Sequence, residues 1–201
     1  MDKDQIDELV ALGTDPRSIA RVQTLAKELM RQSGSGYTLK LACAATLSCF
    51  LNEAGIPVAK TVGAGELARR LREKRGWVRV DVGKQRAGDV GVTYDRDQTR
   101  AGADHVYLVV ERLDADLMYI ADNQVEGRRH RRTASGRAVP GKTSAKTDTE
   151  YFLRAPSGDN LLLASTKGLF DDELPDVDTN GLREPYDDEG LLVGFAEAAE
   201  Q

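Results

Sequence analysis

"HVYLVVERLDADLMYIADNQ", residues 105–124, reads as two short strands folded back on each other. Both halves are rich in β-branched and aromatic residues, and the turn between them falls at Asp114 to Asp116. A hairpin centred on Ala115 pairs Asn123 with Tyr107. Asn123 then lies on the same sheet face as His105, as a diagonal neighbour within reach of its ring. The inference depends on register, because a slip of one residue sends Asn123 to the other face.

Around this hairpin, "WVRVDV" (77–82), "DVGVTY" (89–94) and "EYFLRA" (150–155) have the same composition and are separated by turn signals. They read as further antiparallel strands. Upstream the period changes to three and four. "DPRSIARVQTLAKELMRQ" (15–32) places Ile19, Val22, Leu25, Ala26, Leu29 and Met30 on one helical stripe, with Asp15 as N-cap and Pro16 at the first helical position. A turn, "SGSGY" (33–37), precedes a second helix that begins around residues 39–42. That helix carries Leu47, Phe50, Leu51 and Ala54 and is stopped by Gly55 and Pro57. "GELARRLREKRG" (65–76) is a third. Helices first and strands second predict an α+β fold with N-terminal helices packed on an antiparallel β-sheet.

The chain has 201 residues and a net charge of −5, enough length for a core without staples and too little positive charge for a dedicated nucleic-acid binder. The charge is segregated. "EGRRHRRTASGRAVPGKTSAK" (126–146) has no acidic residue after Glu126, whereas the segment from Phe170 onward is strongly acidic and poor in apolar residues. The basic stretch is expected as a solvent-facing hairpin, or as a site for an anionic substrate or for the acidic tail. Within it "GKTS" (141–144) lacks the glycine spacing of a phosphate loop. The N-terminus is acidic and interrupted by Gly13 and Pro16, with no export-signal pattern and no membrane-length apolar run. The expectation is a soluble cytoplasmic chain, unless lysis or an injection machine releases it from the cell.

Only two cysteines and two histidines are present. Cys43 and Cys49 are six apart, about 240° around a helix, and cannot bridge while that helix exists. The set Cys43, Cys49, His105 and His130 matches no zinc spacing, so neither a metal nor another cofactor is expected. His130, inside "RRHRR", reads as a solvated loop residue. Cys49 reads as a core residue.

The residues leave two readings of Cys43. It shares the apolar stripe of Leu47 and fits a buried packing position. It also lies near a helix N-terminus, where unpaired N–H groups and the helix dipole favour a thiolate and can hold a developing oxyanion. A cysteine at a helix start, a histidine at a strand start and an amide at the end of the next strand are the order that a papain-type hydrolase requires.

Four segments, "LACAATLSCFLNEAGIPV" (41–58), "RAGDVGVTYD" (86–95), "DHVYLVVERL" (104–113) and "YIADNQVEG" (119–127), resemble the successive motifs of the NlpC/P60 and CHAP class of papain-like cysteine hydrolases. The resemblance spans about Ala20 to Ala155. It implies a papain-like domain at residues 1–156, followed by an acidic C-terminal extension at 157–201. It also implies Cys43 as nucleophile, His105 as base and acid, Asn123 as orienter, and a peptide or peptidoglycan amide as substrate. Tyr37 stands where some members use a side chain to hold the oxyanion. "ADN" replaces the usual glycine before the amide, so Asp122 competes with Asn123 for the orienting role. Asp89 matches the Gly-Asp motif and is expected in a turn or cap. Ala42 and Ala44 flank the cysteine where the class has an aromatic residue or Asp, and Phe50 replaces its usual Trp or Tyr.

The rival expectation is a non-catalytic papain-like module with a buried, protonated Cys43 and His105 out of reach, docking partners through its basic hairpin and acidic tail. A third is that the tail folds over the basic loop and covers the cleft.

Overall fold

A computed structural model of the chain describes residues 1–34, 41–93 and 103–157, all within one compact unit spanning residues 1–162. Six strands form a single antiparallel sheet: β1 (Val78–Val80), β2 (Val90–Thr93), β3 (His105–Arg112), β4 (Leu117–Ala121), β5 (His130–Thr133) and β6 (Thr149–Arg154). Their order is β1-β6-β2-β3-β4-β5. Four helices, α1 (Ile6–Thr14), α2 (Pro16–Gln32), α3 (Cys43–Glu53) and α4 (Ala64–Arg75), accompany it, and α1, α3 and α4 pack against β3. The fold is α+β, as expected. Among the described residues no helix is long and apolar enough to cross a membrane.

Local chemistry explains the helix limits. Asp15 caps α2, its Oδ2 accepting from the Ser18 amide at 2.8 Å, and Pro16 begins the first turn. Ile19, Val22, Ala26 and Met30 of the expected stripe are buried, while Leu25 is exposed. At the end of α3 the Ile56 amide donates to Leu51 O (2.8 Å) and the Gly55 amide to Asn52 O (3.0 Å), the paired bonds that close a helix with glycine after its cap. Every residue of α3 from Cys43 to Leu51 is buried, not one stripe alone. A helix that is apolar all round is one covered on all sides, and α3 packs on β3 while α1, α2 and α4 also contact it.

Gly13 does not interrupt the N-terminal segment. It lies inside α1, where an added Cβ would stand 2.6 Å from Val110 Cγ1 and 2.7 Å from Leu108 Cδ2. The missing side chain lets α1 settle directly on β3. The chain start is anchored too: Asp2, 7 % exposed, accepts from Trp77 Nε1 (2.8 Å) and Arg75 Nε (3.0 Å). Asp89 accepts from the Arg86 amide at 2.8 Å, the expected turn contact, and also holds Arg154 through both carboxylate oxygens at 2.9 and 2.7 Å.

The sheet buries apolar residues on both faces. Val106, Leu108 and Val110 join the large core under the helices, and Tyr107, Val109, Met118, Ile120 and Phe152 form a smaller cluster on the other side. β5 lies inside the basic stretch and pairs with β4, with Ile120 opposite His130 and Met118 opposite Arg132.

The register of the central hairpin differs from the expected one in a single place. Near the turn Glu111 faces Tyr119 and Arg112 faces Met118, the pairing that a centre at Ala115 requires. A bulge between Val109 and Glu111 then shifts the ladder by one, so that Leu108 faces Ala121. Continued toward His105, the shifted register sets Asp122, not Asn123, at the level of Tyr107.

Tyr107 also lies over Gly91, its cross-strand partner, and its hydroxyl meets Thr149 Oγ1 at 2.6 Å. A Cβ at residue 91 would stand 2.1 Å from Tyr107 Cζ. Gly91→Ala is expected to destabilise the fold by about 1–3 kcal/mol, the usual range for overpacking, read as a lowered midpoint in urea unfolding at unchanged slope.

Candidate active site

Cys43 is the first residue of α3. Ala42 precedes it as the N-cap, its carbonyl accepting from the Thr46 amide at 2.9 Å, so the amides of the first turn have no partner within the helix. Because α3 packs on β3, which begins at His105, the helix start and the strand start meet. Cys43 is 4 % exposed and its Sγ lies 3.8 Å from Asp104 O.

The opposite side of the imidazole is held by a carboxylate. His105 Nε2 is 3.1 Å from Asp122 Oδ2, and His105 shares its strand face with Tyr107, ring centroids 5.9 Å apart. With Nε2 committed to Asp122, Nδ1 is the nitrogen that serves the thiol. The other oxygen, Asp122 Oδ1, is 3.0 Å from His130 Nε2 and accepts from the Gln124 amide at 2.7 Å. One buried carboxylate thus lies between the two histidines of the chain.

This corrects two expectations. Asp122 takes the place expected for Asn123, because the bulge in β3 moves the ladder by one residue. Asn123 is the next residue and is fully buried. His130 is not a solvated loop residue: it begins β5 opposite Ile120, and alternation along β4 puts Asp122 on the same face, diagonal to it. The basic flanks of His130 hide this in sequence. A strand of alternating polarity is hard to see when four of its neighbours are arginine. Tyr37 and, apart from Ser157, the extension at 157–201 lie outside the described residues, as does any docking of that tail.

Gln23 was also missed. It sits on the buried side of α2 at 3 % exposure, donates from Nε2 to the carbonyls of Asp122 and Val125 (both 2.9 Å), and accepts from the Gly127 amide at 3.0 Å. A polar residue in an apolar stripe is the signal that could have found it, since buried amides need partners. Here those partners are the backbone of the turn that presents Asp122.

The electrostatics follow from this geometry. Burial pushes the Cys43 thiol up, but the hydrogen bond and charge of His105, with the backbone N–H groups of Val106 and Ala44, outweigh it and hold the thiol below its ordinary value. Burial likewise opposes charge on His105, yet Asp122 and Cys43 together raise the imidazole to about 9. Asp122 is fully buried, which alone would raise it, and the two histidines bring it well below the usual carboxylate range. The three shifts favour a thiolate beside an imidazolium backed by a carboxylate. At Cys49 burial, with the charge of Glu53, outweighs the opposing charge of Lys60 and pushes the thiol up.

On the far side of His130 a cleft of about 480 Å³ opens between β5 and the segment after it, lined by Arg128, Arg131, Arg137, Lys142 and Lys146 among others. Comparisons with protein-family models, with curated proteins and with solved structures found no match for the chain.

The lowered thiol and raised imidazole predict that Cys43 is alkylated with a midpoint below the roughly 8.5 of a free thiol, and that Cys49 is not. The sign is fixed by the partner: removing His105 takes away the cation and leaves burial, so His105→Ala moves the Cys43 midpoint upward. Asp122→Asn, isosteric and neutral, is expected to move it in the same direction, whereas Asn123→Ala leaves it in place. Peptide-resolved mass spectrometry after timed alkylation across pH reads all four.

Proposed function

We propose that the chain is a papain-like cysteine hydrolase that cleaves amide bonds through Cys43, His105 and Asp122. The observation that carries this reading is the imidazole of His105 held between the Cys43 thiol at a helix start and the buried Asp122 carboxylate at 3.1 Å. An imidazole held by a carboxylate on one nitrogen keeps the other directed at the nucleophile and is stabilised when it carries the proton.

The steps follow. The Cys43 thiolate attacks the carbonyl carbon, forming a C–S bond and placing the negative charge on oxygen, which the amides at the start of α3, without partners inside the helix, would receive. Protonated His105 gives its proton to the leaving nitrogen as the C–N bond breaks, and an amine departs from a thioester. Neutral His105 then takes a proton from water, whose oxygen attacks the thioester. The acid is released, and Cys43 and His105 return to the ion pair. Asp122 keeps the tautomer and stabilises the imidazolium in both halves.

The proposed substrates are peptides, with the short peptides of bacterial cell walls as the class that the sequence resemblance implies. The rival, a binding module with a protonated cysteine and His105 out of reach, is opposed by the hydrogen bond between His105 and the Cys43 thiol. The burial of Cys43 at 4 % exposure is the one feature it shares.

The test is incubation with purified peptidoglycan and with its soluble stem peptides, following new amino groups and the mass of the protein. Turnover is expected to fall by about a thousandfold or more in Cys43→Ala and in His105→Ala, with an acyl adduct on Cys43 trapped at short times. Cleavage that survives Cys43→Ala, or no cleavage and no adduct with any wall peptide while Cys43 reacts as an ordinary thiol, would overturn the proposal.

A further inference from the structure

The cysteine chemistry does not use the basic cleft beyond His130, and its charge is out of balance. Arg128, Arg131, Arg137, Lys142 and Lys146 line it, no carboxylate does, and among the described residues none of these five has an ion-pair partner. Arg129, which also lines it, is neutralised by Glu111 at 2.6 Å and stacks on Tyr119. Among the described residues these cations thus share one cleft whose lining holds no carboxylate.

A second observation concerns two residues of the same lining. Arg132 lines the cleft at 3 % exposure, over the Tyr107 ring and donating to Thr147 O at 2.6 Å, and its buried Nε has no hydrogen-bond partner among the described residues. Gln124, also in the lining, has a buried side-chain oxygen without one. A buried polar group without a partner is costly, and a bound ion is one of the explanations for such a group in a native structure. A guanidinium nitrogen seeks an acceptor. The amide of Gln124 offers an acceptor, or a donor if its two ends are exchanged.

We propose that this cleft is a binding site for a compact phosphate-bearing anion, of the size and charge of a di- or triphosphate group. Its volume is that of a small-molecule site, in the roughly 300–1,000 Å³ range. The planar fork of arginine matches a pair of phosphate oxygens. Phosphate groups also concentrate charge better than an acidic peptide, which spreads one carboxylate per residue along several ångströms of chain. None of the lining residues is Phe, Tyr or Trp, so the stacking platform that single-stranded nucleic acid uses is missing. His130 closes the inner wall and ties the site to Asp122.

The inference does not rest on the hydrolase reading, and one experiment separates them. The full chain and its Cys43→Ser variant are titrated calorimetrically with sodium tripolyphosphate at constant ionic strength, alongside inorganic phosphate and a hexaglutamate peptide. Saturable one-to-one binding of tripolyphosphate is expected, equal in both proteins and tighter than either comparison ligand. Arg128→Gln with Lys142→Gln, two exposed positions, weakens it about tenfold or more, equivalent to about 1.4 kcal/mol, while Arg17→Gln on α2 leaves it unchanged. No saturable heat into the millimolar range, or binding indifferent to the cleft variants, overturns the site. Tighter binding of hexaglutamate overturns the phosphate assignment and gives the cleft to an acidic peptide.

Discussion

A single buried carboxylate organises this part of the molecule. Asp122 has no solvent exposure at its side chain, and a charge so placed persists only if its oxygens are fully engaged. One oxygen meets His105, the other meets His130 and the Gln124 amide. The first contact decides the orientation of the imidazole beside Cys43. The second ties the edge strand β5 to the same point, and with it the inner wall of the basic cleft. Gln23 of α2 holds the turn from behind, so a helix, two strands and a loop converge on one residue.

Burial acts in opposite directions on the members of this group. Taken alone it would neutralise every one, raising Cys43 and Asp122 and lowering His105. Each group instead overcomes its own desolvation through the charge of the next, from carboxylate to imidazolium to thiolate, which is why the set functions as a unit. Cys49, six residues along the same helix and also buried, has no hydrogen-bonded imidazole, and burial outweighs the charge of Lys60 and displaces it the opposite way. Two cysteines of one helix thus differ in chemistry because only one of them meets the start of β3.

Much of the architecture was legible in the sequence. Asp15 and Pro16 mark the start of α2, Gly55 the end of α3, and the change from helical to alternating period marks the passage from helices to sheet. These are local signals: a cap, a glycine stop and a periodicity each act within a few residues. α1 was hidden because Gly13 looks like a helix breaker until β3 is beneath it. The basic stretch was expected as a solvent-facing hairpin, and its arginines mask that β5 joins the sheet beside β4, where Tyr107 and the Thr147 carbonyl cover Arg132.

By itself the sequence determined that Cys43 lies near the start of a helix, that His105 begins a strand, and that a carboxylate and an amide stand side by side at residues 122 and 123. Composition and periodicity suffice for that, because each is a property of a short segment. Which of the two neighbours faces the histidine was decided only in three dimensions. The bulge in β3 at Val110 adds one residue to one side of the ladder, and a strand's side chains alternate with a period of two, so that single residue exchanges Asn123 for Asp122. The position of His130 was decided in the same way, by pairing with β4 across the sheet, a contact between segments that no local pattern in either one specifies.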